Sequence, residues 1–181
     1  GEVVEKTMNV VKELVENSID AKATEIKINL IDSGVKEITV IDDGVGMDKD
    51  DAVLAFSRHA TSKLKTIEDL FYINSLGFRG EALPSIASVS LVNMKTSNGT
   101  VGTEVEIDGG VIKEVKNCDL KKGTRITVKN LFYNTPVRLK YLRNLYTELA
   151  NITEYVNRMA LSFPNIRFVL TNNEKCLLNT D

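Results

Sequence analysis

TEIKINLIDSGVKEITVIDDGVGM (Thr24–Met47) alternates twice, and that double alternation decides the fold. Ile26, Ile28 and Leu30 fall on one side of the first run; Ile38, Val40 and Asp42 share parity in the second. A period of two is the mark of a strand, and Asp32-Ser33-Gly34 between the runs makes a turn, so the segment reads as a hairpin. Its second apolar row ends in a carboxylate, Asp42, which needs hydrogen-bond donors if buried. Asp43-Gly44-Val45-Gly46 follows at once, with two glycines that let a ligand approach the backbone closely. A carboxylate in that place suits an exocyclic amine such as that of adenine. Taken alone, an Asp-Gly turn ending a strand is the simpler reading.

Upstream, the spacing predicts a helix from Val3 to Ser18. Val4, Met8, Val11, Leu14 and Val15 form its apolar stripe. A second stripe is polar: Glu13, Asn17 and Asp20, at spacings of four and three, lie on one face within ELVENSIDA. Asn17 offers a neutral hard oxygen of the kind Mg²⁺ takes, and Glu13 one turn earlier could polarise a water. An exposed polar face is the alternative for such a pair.

Downstream, Asp48 is placed to cap a short helix reaching Phe56, with Asp51 three residues on. Ser57 to Gly80 is polar and irregular, with a brief helix near Ile67–Phe71; a loop of that length is usually a lid or binding loop. Within it, RHATSKL supplies Thr61, Ser62 and Lys63, two hydroxyls and a cation fit for a polyphosphate or for a plain basic loop. In GFRGEAL, Gly80 opens a helix whose free N–H groups could receive phosphate oxygens. Neither GxxxxGK[ST] nor GxGxxG occurs, so a nucleotide site here uses another geometry. Strands at VSLVNMKTS, VGTEVEID, VIKEVKN and TRITVKNL follow, then helices from Val137 and from Thr147 to Ser162, then strands IRFVLTNN and KCLLNTD. Tight turns between neighbours make the sheet largely antiparallel. The fold class is α+β, a two-layer α/β sandwich with helices on one face.

The 181 residues suit one domain, at 43% hydrophobic and 27% charged, with no apolar run long enough to span a bilayer. One histidine and two distant cysteines, Cys118 and Cys176, argue against a zinc site or a disulfide framework. A net charge of −2 hides a basic run, Lys121, Lys122, Arg125, Lys129, Arg138, Lys140 and Arg143, with no acid between Lys121 and Thr147. It reads either as a solvated face or as a phosphate- or DNA-facing rim.

ELVENSIDA, IDDGVGM, RHATSKL, LGFRGEALPSIASVS and KGTRITVKNLFYNTPVRLKYL, in this order, resemble the GHKL ATPase superfamily, and within it the MutL family of DNA mismatch-repair proteins; Tyr141 stands where that family usually has Phe. The resemblance implies a GHKL, or Bergerat-type, ATP-binding fold with a mixed, mostly antiparallel sheet. It implies ATP and Mg²⁺ as cofactors, with Glu13 as the general base and Asn17 as the metal ligand. Asp42 would take the adenine amine. Asp20, Ala21, Gly46, Met47 and Thr124 would line the nucleotide, with Gly46 letting the base lie against its loop and Thr124 supporting the adenine end. Thr61, Ser62, Lys63, Gly77, Phe78, Arg79, Gly80, Glu81, Ala82 and Leu83 would form a lid over the phosphates. Hydrolysis would time a clamp formed with a second MutL-type protomer, in a pathway shared with a MutS-type mismatch-recognition protein. DNA would be met mostly by parts outside this chain, and no membrane is involved. Residues 1–181 then correspond to one ATPase subdomain, lacking an N-terminal segment and a second subdomain, with weak turnover expected alone. The cytoplasm is the expected compartment for a bacterial member, the nucleus for a eukaryotic one. A gyrase-like ATPase, a histidine-kinase-type domain and a nucleotide-dependent interaction module are the rival readings.

Overall fold

The structure is a computed structural model that describes residues 4–57, 82–142 and 144–181. Helix α1 spans Thr7–Asp20, strands β1 and β2 Glu25–Ile31 and Glu37–Asp42, helix α2 Lys49–Leu54 and helix α3 Ala82–Ser88. Strands β3 to β6 span Leu91–Ser97, Gly102–Asp108, Val111–Cys118 and Gly123–Lys129. Helix α4 (Pro136–Lys140), helix α5 (Leu145–Ser162) and strands β7 (Arg167–Asn172) and β8 (Lys175–Asn179) complete the order.

The eight strands form one sheet in the order β5-β4-β3-β6-β2-β1-β7-β8. β1 and β7 run parallel; the other neighbours are antiparallel. The hairpin and the β3–β4–β5 meander are therefore present as expected. β6 does not extend the meander. It returns to pair with both β3 and β2 and joins the two halves of the sheet.

That register stacks side chains into transverse rows on the helix-covered face. Leu30, Ile38, Val128, Val92 and Ile107 form one row, and Ile28, Val40, Ile126, Met94 and Val105 the next. Every member is buried. The following row begins with Ile26 and continues Asp42, Thr124, Thr96, Thr103. The core thus ends in a polar edge, two residues beyond its last apolar layer.

Helix α1 lies over this face, with Val10, Val11, Leu14 and Val15 in the core. It starts at Thr7, not Val3. Asn9 Oδ1 turns back to accept the Glu5 and Lys6 N–H groups, at 3.1 and 2.9 Å. The buried Glu148 carboxylate of α5 accepts the Thr7 N–H and hydroxyl, at 3.1 and 3.0 Å. These acceptors satisfy the first free amides and fix the helix start. Val4 is buried although it precedes the helix. Asp48 caps α2 as its sequence suggests, accepting the Asp51 N–H at 2.9 Å. Helix α5 begins two residues earlier than expected because Asn144, just outside it, accepts the Thr147 N–H at 3.1 Å.

Candidate nucleotide site

At the polar edge, the end of α1, the end of β2, the loop after it, α3 and β6 line an open recess. Its walls are mostly apolar, from Leu14, Val40, Met47, Leu83 and Ile126. Into this slot four polar residues point: Asn17, Ser18, Asp42 and Thr124. Flat apolar walls with few polar groups suit a heteroaromatic ring held by its edge.

Asp42 is fixed from two sides. The Ser18 hydroxyl lies 2.6 Å from its Oδ2 and 3.1 Å from the Leu14 carbonyl. A hydroxyl has one hydrogen, and the shorter contact to a carboxylate claims it. The Gly44 N–H donates to Oδ1 at 2.8 Å. Burial pushes the Asp42 carboxyl above the usual carboxylate range. The donors from Ser18, Gly44 and the Thr124 backbone pull it down, while the neighbouring Asp43 charge pushes it up again. Burial wins, so the folded chain holds this charge at a cost.

The loop after β2 is shaped by its glycines. A Cβ on Gly44 would sit 2.7 Å from the Ala21 carbonyl oxygen, and one on Gly46, at φ +65°, would sit 1.8 Å from that of Ser97. Glycine at position 46 is therefore demanded by β3. The carbonyl of Ala21 also accepts the Val45 N–H at 2.8 Å, tying the end of α1 to the loop. Met47 is anchored through its N–H to Thr96 Oγ1 at 3.0 Å.

Asn17 Oδ1 is buried and has no hydrogen-bond partner among the described residues. A buried orphan acceptor is costly and calls for an explanation. A neutral amide oxygen facing a recess fits a hard divalent cation such as Mg²⁺. Among the described residues no cluster of His, Cys, Asp or Glu could hold a metal alone. A cation beside Asn17 would take most of its ligands from phosphate and water. Glu13, one turn before Asn17, is buried and stands outside the walls of the recess.

Of the expected site residues, the recess brings together Asn17, Ala21, Asp42, Gly46, Met47, Leu83 and Thr124. Asp20 at the end of α1 and the buried Ala82 of α3 do not line it. Thr61, Ser62, Lys63, Gly77, Phe78, Arg79, Gly80 and Glu81, and the brief helix near Ile67–Phe71, lie outside the described residues. Ser18 and Thr96 were not legible as site residues: a lone hydroxyl in a helix or strand carries no periodic signal. Ser18 is the neighbour of Asn17 in the chain, and Thr96 shares the parity of Val92 and Met94. The basic run is spread over three places, with Lys121 and Lys122 before β6, Arg125 and Lys129 exposed on β6, and Arg138 and Lys140 on α4. Lys129 pairs with Glu37 at 3.6 Å.

A family model for histidine kinase-, DNA gyrase B- and HSP90-like ATPases matches residues 5–134. The DNA mismatch repair protein MutL of Staphylococcus carnosus is 56% identical over 182 residues, covering 100% of this chain and 28% of its own length. MutL of Lactiplantibacillus plantarum is 56% identical over 180 residues, covering 99% and 26%. The chain spans under a third of the length of these curated relatives. The Aquifex aeolicus MutL ATPase domain complexed with ADP superimposes with a TM-score of 0.78 at 30% identity, over 99% of this chain and 65% of that one. Another solved structure, the N-terminal domain of a DNA repair protein, gives a TM-score of 0.83 at 29% identity, over 99% and 54%. With its recess at the end of α1 and β2, the chain belongs to the histidine kinase-, DNA gyrase B- and HSP90-like ATPase family, and within it the chain is similar over its whole length to MutL proteins.

Proposed function

We propose that this recess binds Mg·ATP and that the chain hydrolyses it to ADP and phosphate. One observation carries the reading: the same apolar slot holds a carboxylate locked by Ser18 and Gly44 and an orphaned amide oxygen on Asn17. The carboxylate accepts the exocyclic amine of adenine, and the apolar walls take the ring faces. Asn17 holds the cation, which supplies charge neutralisation to the phosphate oxygens when bound. Glu13 accepts a proton from the water that attacks the γ-phosphorus. The bond to the bridging oxygen breaks, and ADP leaves with that electron pair. Positioning accounts for most of the rate in such transfers.

In the whole protein, this hydrolysis would time the association of two MutL-type protomers, in concert with a mismatch-recognition protein of the MutS type and with DNA. Residues 1–181 would then be one subdomain, completed by a further one, and would work in the bacterial cytoplasm. Among the described residues no helix is long and apolar enough to cross a membrane.

The test is a pair of substitutions in the full-length protein. Glu13→Ala should slow hydrolysis by roughly 10²–10⁴-fold while ATP affinity is kept. Asn17→Ala should weaken Mg-dependent ATP binding itself. Normal turnover by Glu13→Ala, or unchanged Mg-dependent affinity in Asn17→Ala, would remove those residues from the roles assigned here.

A further inference from the structure

Thr96 is wholly buried on β3 and does not line the recess. It stands beside Thr124 in the transverse row, and Thr124 stands beside Asp42. Its hydroxyl has three neighbours: the Met47 N–H at 3.0 Å, Thr124 Oγ1 at 2.8 Å and the Gly123 carbonyl oxygen at 3.3 Å. A hydroxyl has one hydrogen and two lone pairs. The Met47 N–H can only donate, so it occupies one lone pair. The hydrogen of Thr96 then has two acceptors to choose from. Hydroxyl–oxygen hydrogen bonds cluster near 2.7–2.8 Å and fade beyond about 3.0 Å. The 2.8 Å contact takes the hydrogen, and the 3.3 Å contact to Gly123 is too long to compete.

The consequence passes to Thr124. With a lone pair occupied by Thr96, its own hydrogen is left for the recess it lines. We propose that Thr96 is a positioning residue: it fixes the polarity of the Thr124 hydroxyl, so that Thr124 donates into the recess and selects a ligand edge carrying an acceptor beside the amine that Asp42 accepts. This rests on the ATP reading of the site. In adenine, N1 is the acceptor next to the exocyclic amine; in guanine or hypoxanthine that ring position carries a hydrogen. Asp42 and Thr124 would then read two adjacent positions of one base edge, an acceptor and a donor set by two neighbouring strands.

The experiment compares equilibrium binding of ATP and of 1-deaza-ATP, which keeps the amine and lacks N1, to the full-length protein. The wild type should bind the deaza analogue roughly 3- to 10-fold more weakly, the worth of one hydrogen bond. Thr96→Val removes the donor to Thr124; its preference for ATP should fall toward unity, while Thr96→Ser keeps the wild-type ratio. The ratio is the decisive readout, because a merely structural loss at Thr96 would weaken both nucleotides alike and leave it unchanged. A Thr96→Val protein with the wild-type ratio overturns the inference and leaves ATP binding standing. Equal binding of the two nucleotides by the wild type overturns it even if Thr96→Val fails to fold. If the wild type binds neither, the ATP reading falls and the inference falls with it.

Discussion

Two neighbouring rows of one sheet face have the same backbone and opposite chemistry. Ile28, Val40, Ile126, Met94 and Val105 pair across five strands and are all buried. Two residues along, the same strands present Ile26, Asp42, Thr124, Thr96 and Thr103. The first row is core, and its Val40 and Ile126 also wall the recess. The second is where the end of α1 and the loop after β2 meet the sheet and leave a recess. The site is thus the last layer of the core with its side chains exchanged. Ladder pairing, already required by the fold, holds Asp42, Thr124 and Thr96 in line without a dedicated scaffold.

Met94 belongs to the apolar row and does not line the recess, so its substitution should separate stability from ligand preference. Met94→Ala empties space in the apolar row and should cost about 2–5 kcal/mol of folding stability. The preference of the folded protein for ATP over 1-deaza-ATP should not change. Denaturant unfolding followed by nucleotide titration checks both halves. A selective loss of that preference, with stability kept, would show that the rows are not separable.

Asp42→Asn should move stability and affinity in opposite directions. Asn offers one acceptor to Gly44 and an amide that Ser18 can meet, so the local geometry survives. ATP affinity should fall by roughly 10- to 100-fold, the range for a hydrogen bond to a charged group. Stability follows from the raised Asp42 carboxyl. A group with a raised folded value contributes stability that is full below its unfolded value and is lost as pH rises through the folded value. The wild type therefore carries the cost of the charge at neutral pH, and Asp42→Asn does not. The variant should unfold at higher denaturant concentration at pH 7. That advantage should shrink to nothing as the pH falls to the ordinary carboxylate range. A variant less stable than wild type at pH 7 would mean that the hydrogen bonds to Asp42 outweigh its burial.

Much of this was legible in the order of residues, for a definite reason. Alternation in Ile26–Leu30 and Ile38–Asp42 is local, so it fixed the hairpin, the buried face and the odd carboxylate at its end. The stripe Glu13–Asn17 on α1 was local too. What was not legible depends on partners far along the chain. The pairing of β6 with β2, and the parallel pairing of β7 with β1, unite strands over 80 residues apart in sequence. The start of α1 at Thr7 depends on Glu148, 141 residues away. Thr96 meets Thr124 only through the pairing of β3 with β6, and Ser18 meets Asp42 only where α1 lies on the sheet. In the sequence, Gly46 reads as room for a ligand's approach, whereas the Ser97 carbonyl alone is enough to demand it.

The smallest expected effect concerns the residue next to Asp42. Asp43 points the other way and is exposed; its carboxylate accepts the Thr24 N–H at 2.7 Å, the Glu25 N–H at 3.0 Å and the Thr24 hydroxyl. Its partial burial alone would raise it, but these donors outweigh that and hold it below the usual carboxylate range. Two adjacent aspartates are thus shifted in opposite directions. The stability that Asp43 contributes is present above its unfolded value and lost as pH falls through its lowered folded value. Exposure and solvent screening keep it small. Its charge also pushes Asp42 upward. Asp43→Asn removes that push, so Asp42 ionises at a lower pH. ATP affinity, which in this reading follows the ionised Asp42, should decline on acidification in both proteins, and in Asp43→Asn the decline should begin at lower pH. Affinity measured from pH 4 to 8 in the two proteins decides it. A decline displaced toward higher pH would reverse the sign assigned to the Asp43 charge, and no decline in either would mean that the site does not depend on the charge of Asp42.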